Sequence, residues 1–140
     1  MKFEPEFFVK LKFSQNQIEK NLNNAVKDLG IAKKVDILDV RFTYAYSALI
    51  KAGIALLSYH QVKIKSVVGH QAKIIEKLAE ILRDDSIRVM GNAMRTKRNL
   101  DFYAGGIEVT EKECREYLSF VAFILKRTQD IIQKTKRSPF

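Results

Sequence analysis

Apolar positions recur at three- and four-residue steps through most of this chain, the spacing that lines one face of an α-helix. Ile18, Leu22, Ala25, Val26 and Leu29 follow Ser14, a natural N-cap, and predict a first helix that stops near Gly30 or Lys34. Leu38, Phe42, Ala45, Leu49, Ala52, Leu56 and Tyr59 predict a second, longer helix starting near Asp36. Within it Ala45, Ala48, Ala52 and Ala55 form a stripe of small residues that lets another helix come close, which makes it the expected central helix. Ile74, Ile75, Leu78 and Leu82 predict a third helix over 70–83, and the tight turn 84–86 leads into a fourth, so these two are expected as an antiparallel hairpin. Thr110 with Glu113 three residues on is a capping-box pair that opens a fifth helix. That helix carries Tyr117, Leu118, Val121, Phe123, Ile124, Leu125, Ile131 and Ile132 round more than half its circumference, so part of the face is expected to meet a second copy of the chain.

The two ends depart from this rhythm. In 1–13, Val9, Leu11 and Phe13 alternate with Lys10 and Lys12 as in a short strand, but Pro5 and the want of a partner strand favour an extended arm. A basic connector, 60–69, joins helices two and three, and 134–140 reads as a basic disordered tail. The expectation is an all-α protein, an up-and-down bundle of four to five helices over 14–133.

Length and composition narrow the class. A chain of 140 residues is most simply one domain, able to bury roughly 70% of the surface its unfolded form exposes. The single Cys114 excludes an intrachain disulfide, and 1–13 lacks the unbroken apolar run of a secretory leader, so a cytoplasmic location is expected. Residues 42–59 are apolar enough to raise the question of a membrane span. Lys51 at its centre would cost about 2.5–3.5 kcal/mol there, and a buried bundle helix with no membrane contact is the better reading. There is no Gly-rich phosphate loop, no zinc-spaced Cys/His cluster and no His-Glu-x-x-His, and Cys114 is read as lying mid-surface without an adjacent base. Neither a metal nor a cofactor is expected.

Charge changes the picture more. Lys and Arg number 25 against 16 Asp and Glu, a formal +9 that attracts polyanions wherever it is clustered. Lys63, Lys65 and Lys73 make one group, and Lys126, Arg127, Lys134, Lys136 and Arg137 another that faces only Asp130. On the fourth helix Arg88, Arg95 and Arg98 fall within about 80° of one another, with no acid over 89–98, while Ile87, Met90 and Met94 turn toward the core. His70 and Arg98 each stand 13 residues from the hairpin turn, about 20 Å at ~1.5 Å per residue, and so lie at one level. If helix two runs antiparallel to helix three, His60 joins them. His60, His70, Arg98, Asn99 and Tyr103 are then expected to converge with Lys63, Lys65 and Lys97 around them, and Arg95, Lys97, Arg98, Asn99, Asp101 and Tyr103 are the candidate residues for an RNA or nucleotide ligand. An imidazole beside a guanidinium is also the minimum kit for cutting RNA: the base activates a 2′-hydroxyl and the cation steadies the charged phosphorane.

Several of these pieces, in this order and spacing, resemble the HEPN family (higher eukaryotes and prokaryotes nucleotide-binding). They are Ala25, Asp28-Leu29 and Ala32 in the first helix, Tyr46-Ser47-Ala48 and Ala55-Leu56-Leu57 in the second, Val68-Gly69-His70 opening the third and Arg98-Asn99 ending the fourth. The likeness covers roughly 18–132. It implies a four- or five-helix bundle, usually a homodimer in which the ends of the fourth helices meet across the two-fold axis. It also implies an RNA or nucleotide ligand and a toxin-type role beside a minimal nucleotidyltransferase partner. Ribonuclease members of the family carry an Arg, four to six residues beginning with a polar one, then a His. Arg98 and Asn99 fit this pattern, and Tyr103 stands at the His position. Tyrosine, with an ordinary pKa near 10, is a poor base at neutral pH, although it can hydrogen-bond a phosphate or stack on a base. Other branches end this helix with an acid and a tyrosine, as Asp101 and Tyr103 do. Three functions are therefore weighed: an RNA- or nucleotide-binding protein with this degenerate motif, a metal-independent ribonuclease in which His70 supplies the base, and a non-catalytic dimeric helical adaptor for a protein partner.

Overall fold

The computed structural model describes residues 1–104 and 108–137, with side chains for 1–100 and 108–134. The described residues form five helices and one small two-stranded sheet: β1 (Phe8–Lys10), α1 (Gln15–Lys34), α2 (Leu38–Tyr59), β2 (Val62–Ile64), α3 (His70–Leu82), α4 (Ser86–Ala104) and α5 (Glu111–Arg137). The fold is the expected all-α bundle. Ser14 Oγ accepts from Gln17 N while Gln17 Oε1 accepts from Ser14 N, and Thr110 and Glu113 make the same reciprocal pair at the start of α5. The sequence pattern thus placed both starts to within a residue.

Helix α2 is the centre. Phe42, Leu49 and Leu56 are fully buried along it, and Ala45, Ala48, Ala52 and Ala55 are as fully covered. By length and composition α2 could cross a membrane, but it packs against α1, α3, α4 and α5, which is how the core helix of a bundle passes the same test. Two glycines set how closely its neighbours approach. A Cβ on Gly53 would stand 2.3 Å from Ile74 Cγ2, and one on Gly91 of α4 would stand 2.7 Å from Ile75 Cγ2. Adjacent isoleucines of α3 therefore lodge in notches on α2 and α4.

The N-terminal segment differs from the expectation. It is not a loose arm, because β1 pairs antiparallel with β2 inside the basic connector, Phe8 opposite Ile64 and Lys10 opposite Val62. The connector's charges hid a strand whose inward residue, Val62, is buried beside Phe8. Gln61 extends the ladder with its side chain, accepting from Phe13 N at 2.7 Å and donating to Phe13 O at 3.2 Å. Lys77 of α3 is buried and donates to the Lys2 carbonyl, to Glu4 at 2.9 Å and to Glu80 at 3.2 Å, which ties the N-terminal segment to α3.

Two further expectations are corrected. Cys114 is buried, its Sγ 3.8 Å from the Leu38 carbonyl, and does not lie mid-surface. Most of the apolar face of α5 is covered within the chain: Val121, Ile124, Leu125 and Ile132 are buried against α2 and α1, with Tyr117, Leu118, Phe120 and Ile131 partly buried beside them. Phe123 stays exposed under the Arg127 guanidinium. Finally, α5 continues to Arg137, through the first four residues of the expected tail 134–140, and 138–140 lie outside the described residues.

Candidate functional site

Thr43, Ser47 and Lys51 interrupt the apolar pattern of α2 at four-residue intervals and so fall on one face, with Tyr46, Ile50 and Ile54 beside them. That face, Gln71 from the first turn of α3, and Arg98 and Asn99 from the last turns of α4 enclose an open cavity of about 420 Å³. The polar stripe is held from below by Asp28 of α1, a buried carboxylate. Its Oδ2 accepts from Ser47 Oγ at 2.6 Å and pairs with Lys51 Nζ at 2.8 Å. Asp28 therefore anchors the ammonium at the cavity wall instead of letting it swing into solvent. Tyr46, also buried, donates its hydroxyl to Gln71 Oε1 at 2.7 Å. Burial pushes the Tyr46 pKa up to about 12, against the opposing pull of the Arg95 and Arg98 charges.

A second depression, about 360 Å³, adjoins the first. Its walls are 66–72, Arg95 and Asn99, so it shares Gln71 and Asn99 with its neighbour. His70 lies here, with Nδ1 2.9 Å from the Val67 carbonyl. A carbonyl only accepts, so this contact needs the proton on Nδ1 and leaves Nε2 as the basic nitrogen. Gly69 caps α3 at φ 83°, a left-handed conformation natural to glycine, which folds the loop back over the start of the helix.

Of the residues expected at the site, the fold brings together Arg95, Arg98, Asn99 and His70. Lys97 points elsewhere: its Nζ donates to the Glu108 carbonyl at 2.7 Å and lies 3.6 Å from Glu113, tying α4 to the start of α5. Arg88 belongs to the hairpin turn, paired with Asp85 and, at 3.8 Å, with Glu80. Arg127 closes that same turn, donating to the Leu82 carbonyl and reaching Asp84 at 3.4 Å. Backbone helix continues through Asp101 and Tyr103, but their side chains lie outside the described residues.

His60 does not join the group. The chain beyond it enters β2 rather than turning back directly into α3, and an extended connector carries the two imidazoles apart. His60 instead lines a separate groove with Phe3, Lys10, Leu11 and Lys12, and partial covering of its ring lowers its pKa.

Sequence reasoning missed Asp28, Tyr46, Ser47, Lys51 and Gln71 as site residues. The signal is the polar stripe at 43, 47 and 51, three residues at four-residue intervals on an otherwise apolar helix. Among the described residues no group of three or more His, Cys, Asp or Glu comes together in a way that could hold a metal ion. Comparison of the chain with protein-family models, with curated proteins and with solved structures gives no match.

Proposed function

We propose that this chain is a HEPN-like RNA- or nucleotide-binding protein that takes a phosphate-bearing ligand where α4 ends. The observation that carries the reading is the cavity itself: an open, polar compartment walled by Arg98, Lys51, Asn99, Gln71 and Ser47, with no acid among the described residues that line it and Asp28 paired behind Lys51 and Ser47. Ile50, Ile54 and Tyr46 give it an apolar side suited to a base, and guanidinium and ammonium groups give it a side suited to phosphate. In this reading Arg98 grips the phosphate and Asn99 positions it, with Tyr103 assigned by the resemblance. A toxin-type role in the cytoplasm beside a minimal nucleotidyltransferase is part of the same proposal, and a nucleotidyltransferase in the adjacent reading frame would support it.

The test is binding of a fluorescein-labelled single-stranded RNA at low ionic strength, where phosphate contacts are strongest. Wild-type protein should bind, and Arg98→Ala should weaken binding about tenfold or more, the worth of one charge-assisted contact. Absence of binding by folded wild-type protein overturns the reading.

One observation favours a ribonuclease version. His70 shares a depression with Arg95 and Asn99, and its Nδ1 contact leaves Nε2 to act as the base. His70→Ala should then abolish cleavage of a test RNA while leaving its binding measurable, and unchanged cutting would end this version.

A homodimer belongs to the proposal as well. Val89 (71% exposed) and Leu100 (56% exposed) stand with Ala93 and Thr96 at helical spacing along the outer face of α4, a stripe of mostly apolar residues uncovered in the single chain.

A further inference from the structure

The two depressions at the end of α4 are separate compartments with a common ridge. Gln71 and Asn99 line both, Arg98 lines only the larger and Arg95 only the smaller. Arg95 and Arg98 are one turn apart, with Cβ atoms about 5–6 Å from each other, so each compartment receives its own guanidinium. Arg95 is steadied by its Nε, which donates to Asn92 Oδ1 at 3.2 Å one turn back along the helix. Among the described residues no carboxylate lines either compartment, and the loop 66–69 that walls the smaller one carries no charged residue.

A single phosphate needs only one of these compartments. A ligand that carries negative charges in sequence, one per unit, would use both. A duplex fits poorly, since its bases stay stacked inside while the larger compartment offers Tyr46, Ile50 and Ile54 to an unstacked base. We propose that the paired depressions are consecutive nucleotide subsites for single-stranded RNA, Arg98 holding the phosphate of one unit and Arg95 that of the next, across a ridge made by Gln71 and Asn99. This rests on the binding function proposed above and adds to it a minimum ligand of two linked nucleotides.

Calorimetric titration at low salt with uridine 5′-monophosphate and with the 5′-phosphorylated dinucleotide pUpU tests it. The dinucleotide should bind about tenfold tighter than the mononucleotide, the gain of one further guanidinium–phosphate contact. Arg95→Ala should collapse that ratio toward one, and Arg95→Lys, which keeps the charge but loses the fork, should keep part of it. Thermal melts followed by circular dichroism would establish that both variants are folded. Equal binding of the two probes by wild-type protein, or a ratio that survives Arg95→Ala in a folded variant, overturns the two-subsite arrangement while leaving a one-site binder standing. Binding of neither probe removes the function itself and this inference with it.

Discussion

Tyr46 and Glu4 show how single side chains divide between site and scaffold. With its pKa pushed up to about 12 by burial, the Tyr46 hydroxyl remains a donor at every physiological pH, so it orients Gln71 and does not act as a base. Tyr46→Phe should leave the fold intact at a cost of about 0.5–1.5 kcal/mol, and should lower affinity for single-stranded RNA by freeing Gln71 to turn. A chemical melt and a binding titration on one preparation would separate these effects. Glu4 works at a distance from the site. Hydrogen bonds from Lys73 and then Lys77 lower its pKa to about 2 from an ordinary 4.5. A carboxyl whose folded pKa is depressed stabilises above its unfolded value and loses that contribution as pH falls through the folded one. The N-terminal segment should therefore stay fastened at pH 5 and loosen between about 4.5 and 2, seen as faster amide exchange in β1. Glu4→Gln should loosen it already at neutral pH and flatten that acid dependence. Arg95 and Arg98 stand out in the sequence because an acid-free run of ten residues, 89–98, contains them, and Asn99 follows from the resemblance. Asp28 could not, since an acid on a helix becomes an anchor only when Lys51 and Ser47 of another helix are brought to it.

At the level of elements, the glycine notches make predictions of opposite sign. Ile74 and Ile75 are β-branched and held in one rotamer on a helix, so they cannot swing away from a new methyl group. Gly53→Ala and Gly91→Ala should each destabilise by about 1–2 kcal/mol, the clash outweighing the roughly 1 kcal/mol alanine gains in a helix interior. The closer approach makes Gly53 the worse case. Gly30 of α1 has nothing within 4 Å of such a Cβ, and Gly30→Ala should stabilise by about 0.5–1 kcal/mol. Chemical denaturation of the three variants checks the order, and combining Gly53→Ala with Ile74→Ala should cost less than the two changes added together. Helix starts were legible because caps are local, a Ser or Thr and a Gln or Glu three residues on. The two-stranded sheet was not, because strand β2 exists only through its pairing with residues some fifty positions earlier.

For the whole molecule, the formal +9 is the excess of cationic side chains after every acid is counted. Lys73 and Lys77 hold the N-terminal segment, while Arg88 and Arg127 close the α3–α4 turn. At the end of α4, Arg95 and Arg98 line two adjoining depressions, the larger of them shared with Lys51, which Asp28 pairs. Affinity for single-stranded RNA should therefore fall with salt at a log–log slope of about −0.7 for each phosphate held, and Arg95→Ala should reduce the slope by about that amount. The homodimer reading has its own check. Sedimentation of wild-type protein should show a dimer, and Val89→Glu with Leu100→Glu should give a folded monomer, because two carboxylates cannot be buried unpaired in an apolar contact. A monomeric wild type would remove that part of the proposal.

The sequence by itself determined what depends on neighbours along the chain. Helical periodicity and caps act within a few residues, and they gave the all-α class and the helix starts, while the acid-free arginine run marked the end of α4 as a candidate site. Only the tertiary structure decided which faces meet. The pairing of β1 with β2 fixed the connector and separated His60 from His70, and α5 laid most of its apolar face against α1 and α2. The packing of α3 into the notches at Gly53 and Gly91 set Gln71 between Tyr46 and Asn99. The physical reason is range: backbone hydrogen bonds and capping are settled over one helical turn, whereas burial and charge pairing depend on what the whole chain brings within a few ångströms.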